Sequence, residues 1–595
     1  MGFTKRLCEC FQGGFVRPGR GERLECVMVA IIGCGELLRD MGVAVQGKAD
    51  KPVWINIVNH KVTIEDAKNL WGLNTYETQG QILNAVSGRT RFGEEWNQIE
   101  NDYTTARPQI VCIGPVGESM SRVASLIHGS GISARTGGFG GVFGSKNLKA
   151  ISVVGTGGIK PADPKAIVDL RMEHLQGGRR GAQPGSSCCM PCVNPDRKRD
   201  SYYGGESMCA DQYWSREHGM KGADVAIKWG ICTWATKFGG AMDANMPNAP
   251  ALFKAKVPME PGMGWYIKYL FDLGVLGPGK KIDSYPLPMD QWNTLTFREV
   301  FCDAIARKIG IGADLAEGIL EAAKKWGRLD EDLNSGALRL PAYGASWHHS
   351  LPGVDWAYSY ILMSGDPMWH GFFTSLSGGG GFGGPQQSAE ELVTRIASKM
   401  VPFSDDPLML SNCWKGEEAR KTGIYSAHKA KMVAWARRFA GFYNESMSFC
   451  EMMLPSFGGI SPDIEYRYYR AVTGNGKTFA DTMEIGRKIW NMERAIRVMA
   501  GRHRDKEQFA PFMFMPGATF KLGMGGKPVY QDGQWSFENQ DDLYLDRDGV
   551  ELFKTNYYAL EGWDRKTGWP TRKTLEGLGM KKVADLMASR NRLGA

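Results

Sequence analysis

At 595 residues the chain is too long for one hydrophobic core, and roughly two to four domains are expected. Its 43% hydrophobic and 23% charged residues are ordinary for a globular protein; a net charge of +8 without long basic runs gives nucleic-acid binding no support and suggests at most weak attraction to acidic partners. No stretch of about 18 uninterrupted apolar residues argues for a membrane span, and the start Met1-Gly2-Phe3-Thr4-Lys5-Arg6 lacks the apolar core of a secretory signal, so a cytoplasmic protein is expected.

Residues 1–45 show no clear period. From Lys51 the pattern sharpens: Val53-Trp54-Ile55-Asn56-Ile57-Val58 reads as a strand, with another around Val62-Thr63-Ile64. Thr75 to Val86 reads as a helix with Thr75 as N-cap. Gln109 to Ile113 reads as a short buried strand, followed by a helix from about Glu118 to His128, a glycine loop, and the strand Ala150 to Val154. This α+β region ends near Pro161-Ala162-Asp163-Pro164, and beyond it the pattern is largely helical. Met263 to Leu273 and Phe301 to Ile309 carry apolar residues at three- and four-residue spacing. Met483, Ile485, Ile489, Met492, Ile496 and Met499 form the best stripe in the chain, read as the core face of a long helix. The glycine run from Ser377 to Pro385 reads as a lid or a linker.

Glycine is about twice as frequent as average, at 76 residues. It is densest in Arg135-Thr136-Gly137-Gly138-Phe139-Gly140-Gly141-Val142-Phe143-Gly144-Ser145-Lys146-Asn147, where backbone N–H groups can face an anion without intervening side chains. Arg135, Lys146 and Asn147 add charge and hydrogen bonds, so a phosphate or a pterin is the expected ligand. No strand runs directly into this segment and no helix clearly opens from it, so it is not read as a dinucleotide fingerprint. Thirteen cysteines include the close group Cys188, Cys189 and Cys192, which in such a chain favours metal ligation over disulfides. Two cysteines three apart can ligate one iron–sulfur cluster; zinc or a degraded site is the alternative. Ala471-Val472-Thr473-Gly474-Asn475-Gly476-Lys477-Thr478 fits a relaxed phosphate-loop pattern. It follows aromatic and charged Tyr466-Arg467-Tyr468-Tyr469-Arg470 rather than a buried strand, and is read as a decoy.

Ile113-Gly114-Pro115-Val116-Gly117-Glu118, the glycine segment, and Gly144-Ser145-Lys146-Asn147-Leu148-Lys149-Ala150-Ile151 together resemble the tungsten aldehyde:ferredoxin oxidoreductase family. So do, in the family's order, Lys51-Pro52-Val53-Trp54-Ile55, Gly310 to Gly318, Ile485 to Arg494, and Asn556 to Trp563. The resemblance implies an α+β chain: a β-rich N-terminal saddle domain, truncated at its front, followed by two mainly helical domains, with boundaries 1–160, 161–400 and 401–595. It implies tungsten, or molybdenum in its place, on two pterins, a [4Fe–4S] cluster, and magnesium as an optional addition.

Residue by residue, the resemblance places Arg135, Thr136, Gly137, Gly138, Gly140, Lys146, Asn147 and Glu445 at the cofactor. Iron ligands would be Cys189, Cys192 and the distant Cys450, with Asp196 where the family has a cysteine, or Cys188 through a shifted register. Glu206 and His370 fall where the family keeps proton-moving residues, with His348 and His349 as weaker candidates. Cys209 falls where class II benzoyl-CoA reductase, a sister of the family, places a tungsten-ligating cysteine. The implied reaction interconverts an aldehyde and a carboxylic acid, with electrons passing to ferredoxin or an iron–sulfur partner subunit in a homo- or hetero-oligomer. An aryl- or acyl-CoA reductase subunit and an inactive, truncated homologue are the rival readings. Near Thr236-Lys237-Phe238-Gly239-Gly240 the aspartate expected from the family is absent, and Glu445 stands where a second would be.

Overall fold

The computed structural model describes residues 27–29, 43–59, 61–87, 96–99, 101–104, 108–128, 131–134, 138–156, 161–176, 219–233, 235–236, 238, 262–334, 337–338, 354–363, 388–397, 406–447, 463–515, 526–539 and 543–595. They belong to two compact units. The first comprises Met1–Lys160, Ala182–Ala241 and Glu260–Asp332, and the second Pro161–Gly181, Met242–Met259 and Leu333–Ala595.

The first unit is built on a six-stranded sheet. Its strands are β1 (Val53–Val58), β2 (Lys61–Asp66), β3 (Gln109–Cys112), β4 (Leu126–His128), β5 (Gly131–Ala134) and β6 (Leu148–Val154), in the spatial order β2-β1-β6-β3-β4-β5. Only the β6–β1 pairing is parallel, with Ile151 opposite Ile55; the other neighbours run antiparallel, Ile151 facing Val111 across β3. β6 is buried along its whole length, as expected for a central strand covered on both faces. On one face Trp54, Ile110, Cys112, Ile127 and Ala150 pack on Ile82 and Leu83 of helix α1 (Thr75–Ser87). On the other, Ile57, Val111, Ile113, Leu126 and Ile151 pack on Val142 and Phe143. The expected N-cap Thr75 is corrected. Asn74 accepts from the Glu77 N–H at 3.0 Å while Glu77 accepts from the Asn74 N–H at 3.2 Å, and the buried Thr75 hydroxyl donates to the Ile227 carbonyl at 2.8 Å.

The helix expected over Glu118 to His128 is also corrected. Only Pro115–Glu118, α2, is helical, and Met120 then takes a left-handed φ of 58° that ends the turn. Backbone groups beyond it bond outside the segment, Arg122 N–H to the Ala316 carbonyl at 2.9 Å and Ser125 N–H to the Gly230 carbonyl at 2.8 Å, so no helical ladder forms. Helix α3 (Phe139–Ser145) leads into β6, and α4 (Gly219–Trp229) and α5 (Leu295–Arg307) complete the part of this unit used below.

The second unit is mainly helical, as the family resemblance implies. Helix α6 (Ala427–Phe439) is capped by Ser426 and continues into a π-helix over Ala440–Ser446. Trp435, Phe439, Phe442 and Tyr443 from this stretch share a core with Met483 of helix α7 (Phe479–Met499) and with Leu392, Met409 and Tyr469. Helix α8 (Arg547–Glu561) adds Tyr557, whose hydroxyl accepts from the Trp490 indole at 2.9 Å. The stripe read as the core face of α7 is only partly that. Met483 is buried, but Met492 and Ile496 are 38% and 47% exposed, and the covered face carries Gly486, Trp490, Asn491 and Arg494 instead. Trp563 and Gly568 satisfy the two polar side chains among them, which is what makes their burial tolerable. The phosphate-loop decoy is resolved as well. It joins the helix Ile464–Thr473 to α7, and the Thr478 hydroxyl is the N-cap of α7 in a capping box with Asp481. No helix among the described residues is long and apolar enough to cross a membrane.

Candidate functional site

The glycine segment does have flanking elements, contrary to the sequence reading: β5 precedes it and α3 opens within it. Its described glycines let backbones meet. Gly138 has a left-handed φ of 72°, and a Cβ there would stand 2.7 Å from the Arg122 carbonyl oxygen; a Cβ on Gly144 would stand 2.0 Å from the Gly117 oxygen. Gly140 packs against the Ala124–Ser125 backbone in the same way, its N–H reaching the Ala124 carbonyl at 3.3 Å. The N–H groups of Gly141 and Val142 bond the Gly138 carbonyl. The described glycines therefore clamp α3 onto the ridge 114–125.

Lys146 is buried, with its amine 2.8 Å from the Gly47 carbonyl, and the Asn147 amide donates to the Ala49 carbonyl at 2.7 Å. Their own carbonyls accept from Ala49 and Val53 N–H at 3.1 and 2.9 Å. Both residues thus moor the chain entering β1. Arg135, Thr136 and Gly137 lie outside the described residues, as do Cys188, Cys189, Cys192, Asp196, Glu206, Cys209, His348, His349, His370 and Cys450. Glu445 lies on the π-helix, a form often met at functional positions, but its side chain is not among those described.

Sequence reading missed a buried ion pair at the centre of this unit. Lys149 is fully buried in β6, and its amine contacts the Glu118 carboxylate and donates to the Leu73 carbonyl at 2.9 Å. Glu118 also accepts from the Gly72 N–H at 2.9 and 3.0 Å. A register shift between Leu148 and Ala150 puts these two residues in the cores of opposite sheet faces, the re-aiming expected of a bulge. The available signal was a lone charged residue, Lys149, inside a mostly apolar strand.

Beside this pair lies a cavity of about 600 Å³ lined by Trp71, Asn74, Glu118, Lys228, Trp229 and Arg307 among others. Lys228 contacts Glu299, which also accepts from the Trp229 indole at 2.7 Å, and Arg307 contacts Asp303. Both cations are thus neutralised locally. The described free cysteines, Cys112, Cys232, Cys302 and Cys413, are all buried, and burial pushes the Cys112 thiol up to about 12, so it stays protonated. No group of three or more His, Cys, Asp or Glu suited to a metal ion occurs among the described residues, and the expected iron ligands lie outside them.

Sequence comparison decides the family. The model for aldehyde ferredoxin oxidoreductase domains 2 and 3 matches residues 270–580, and that for the N-terminal domain matches residues 37–155. The chain belongs to the aldehyde ferredoxin oxidoreductase family, which is one of oxidoreductases. A tungsten-containing aldehyde ferredoxin oxidoreductase of Pyrococcus furiosus is 23% identical over 582 residues, covering 90% of this chain and 81% of the relative. From the same organism, the WOR-like subunit of an aliphatic sulfonate oxidoreductase is 34% identical over 116 residues, 20% of this chain and 18% of that protein. Among solved structures, the active-site complex BamBC of benzoyl coenzyme A reductase with 1,5-dienoyl-CoA contains a chain of like fold. The TM-score is 0.60 at 18% identity, covering 94% of this chain and 84% of that one. The α+β architecture, sheet first and helices after, is shared with that chain.

Proposed function

We propose that this member of the family is a tungsten–pterin, iron–sulfur enzyme that interconverts an aldehyde and a carboxylic acid, passing electrons to ferredoxin or to a partner subunit. The observation that carries the reading is the ordered match of both family models along the chain. When bound, the metal held by two pterin dithiolenes supplies the two-electron redox chemistry. One aldehyde and one water give the acid, two protons and two electrons.

The chain's own residues bind, orient and move protons. Arg135 and Thr136, at the start of the glycine segment, and Glu445 would be the residues that hold the pterins. Lys146 and Asn147 contribute through the backbone they moor. Cys189, Cys192 and Cys450 would hold the cluster, with Asp196 or Cys188 as the fourth ligand. The Glu206 carboxyl and the His370 imidazole would take up and relay the two protons, one from the water O–H and one from the aldehyde C–H.

Elemental analysis of anaerobically purified protein tests this directly. Tungsten and about four irons per chain are expected; protein with neither would be an inactive homologue and would end the proposal. A second reading, an aryl- or acyl-CoA reductase subunit, is favoured by the fold shared with the benzoyl coenzyme A reductase complex and by Cys209. Metal-loaded protein that reacts with benzoyl-CoA and not with aldehydes would establish it in place of the first.

A further inference from the structure

One stretch at the end of the chain is markedly basic. Residues 565–595 hold eight Lys and Arg against Glu576 and Asp585, a net +6 out of the whole chain's +8. The stretch folds as helices α9 (Arg572–Gly577) and α10 (Lys581–Ser589). Leu575, Met580, Ala584 and Met587 bury one side of it against Ala495 and Val498 of α7. On the open side the two carboxylates are already used. Asp585 accepts from Arg572 at 2.8 Å and Lys581 at 2.7 Å, and Glu576 accepts from Arg572 at 3.0 Å. Arg565, Lys566, Lys573 and Lys582 are exposed and stand in no ion pair among the described residues.

Apolar surface adjoins these cations. Leu586 is 53% exposed on α10, and Met492 and Ile496 are 38% and 47% exposed on α7. Lys488, Met492 and Ile496 follow at four-residue spacing on one face of α7, and the Lys488 amine is 3.8 Å from where a Cβ on Gly579 would stand, so this face borders the cationic module. Exposed apolar side chains beside a charged rim are the composition of a protein-docking surface.

We propose that this face of α7, α9 and α10 docks an acidic protein. Nucleic acid would use the cations but not the apolar side chains, since phosphate contacts dominate such binding. α10 spans only Lys581–Ser589 with Leu586 as its one large exposed apolar side chain, too little to hold an interfacial helix in a lipid surface. A partner with clustered carboxylates around an apolar centre satisfies both features. Under the redox reading above the partner is the electron carrier, and the choice of ferredoxin as probe rests on that reading; the surface itself does not.

Ferredoxin binding to the full chain is measured by titration calorimetry at low and high salt, beside dye-linked aldehyde oxidation and metal content. The double variant Lys573→Glu/Lys582→Glu should weaken binding on the order of tenfold at low salt and flatten its salt dependence. Met492→Gln/Ile496→Gln should weaken binding while leaving the salt dependence intact. Both should keep the wild-type melting temperature, metal content and dye-linked rate, so a defect in docking is separable from failure of the redox reading. The proposal is overturned if wild-type protein that carries tungsten and iron and oxidises aldehyde with dye does not bind ferredoxin, if neither variant changes the affinity, or if the face instead retains duplex DNA, anionic vesicles or a second copy of the chain; protein without metal or dye-linked activity counts against the redox reading instead.

Discussion

Arg494 and Glu507 form an ion pair in which neither side chain has any exposed surface. Arg502 joins from the other side, its Nε 2.9 Å from the same carboxylate, and the Tyr558 hydroxyl also donates to it. Burial alone would raise the Glu507 carboxyl, but the charges of Arg494 and Arg502 outweigh it and hold the group below its ordinary value of 4.5. Burial pushes the Tyr558 hydroxyl well up, so it remains a proton donor.

Glu507→Gln leaves two arginines facing a neutral amide and should destabilise the second unit by about 3–5 kcal/mol at neutral pH. Because the folded value lies below the unfolded one, the carboxylate's contribution is complete above about pH 4.5 and fades as pH falls toward the folded value. Denaturant unfolding of both proteins across pH 3 to 7 checks this. A gap that does not narrow in acid would show that the charge is not what stabilises.

Lys149→Met should cost about 3 kcal/mol by stranding Glu118 beside the buried strand. Adding Glu118→Gln should recover part of the loss, because a neutral amide has less to lose than an unpaired carboxylate. The measurement is a double-mutant cycle by thermal unfolding, and strictly additive losses would refute direct coupling.

Gly144→Ala should destabilise the first unit by about 2–3 kcal/mol, since its Cβ would stand 2.0 Å from the Gly117 oxygen and neither backbone can retreat without moving α3 or α2. If the glycines served only to bare N–H groups to a ligand, the protein without cofactor would melt unchanged.

Met483→Ala and Ile496→Gln compare the covered and open sides of α7. The first should cost about 2–5 kcal/mol and the second within about 0.5 kcal/mol by denaturant unfolding, because only Met483 lies on the covered side.

The family, the order of its segments and the class of fold were legible because they rest on local text. Val53–Val58 is a short run of β-branched and aromatic residues, and Gly474-Asn475-Gly476-Lys477 could be rejected as a phosphate loop from its neighbours alone. The candidate ligand set came from resemblance, and most of it falls outside the described residues.

By itself the sequence determined local direction: the helical period puts Gly486, Trp490 and Arg494 on one side of α7 and Lys488, Met492 and Ile496 on another, and composition grouped Gly138 with Gly144. Tertiary structure alone decided what each face meets. It covers Arg494 and leaves Ile496 in solvent, sets Gly144 against the Gly117 backbone, and turns Lys149 inward onto Glu118 across 31 residues of chain. The reason is physical: spacing along a helix or strand fixes direction relative to its own axis, whereas burial and pairing depend on elements that arrive from elsewhere in the chain.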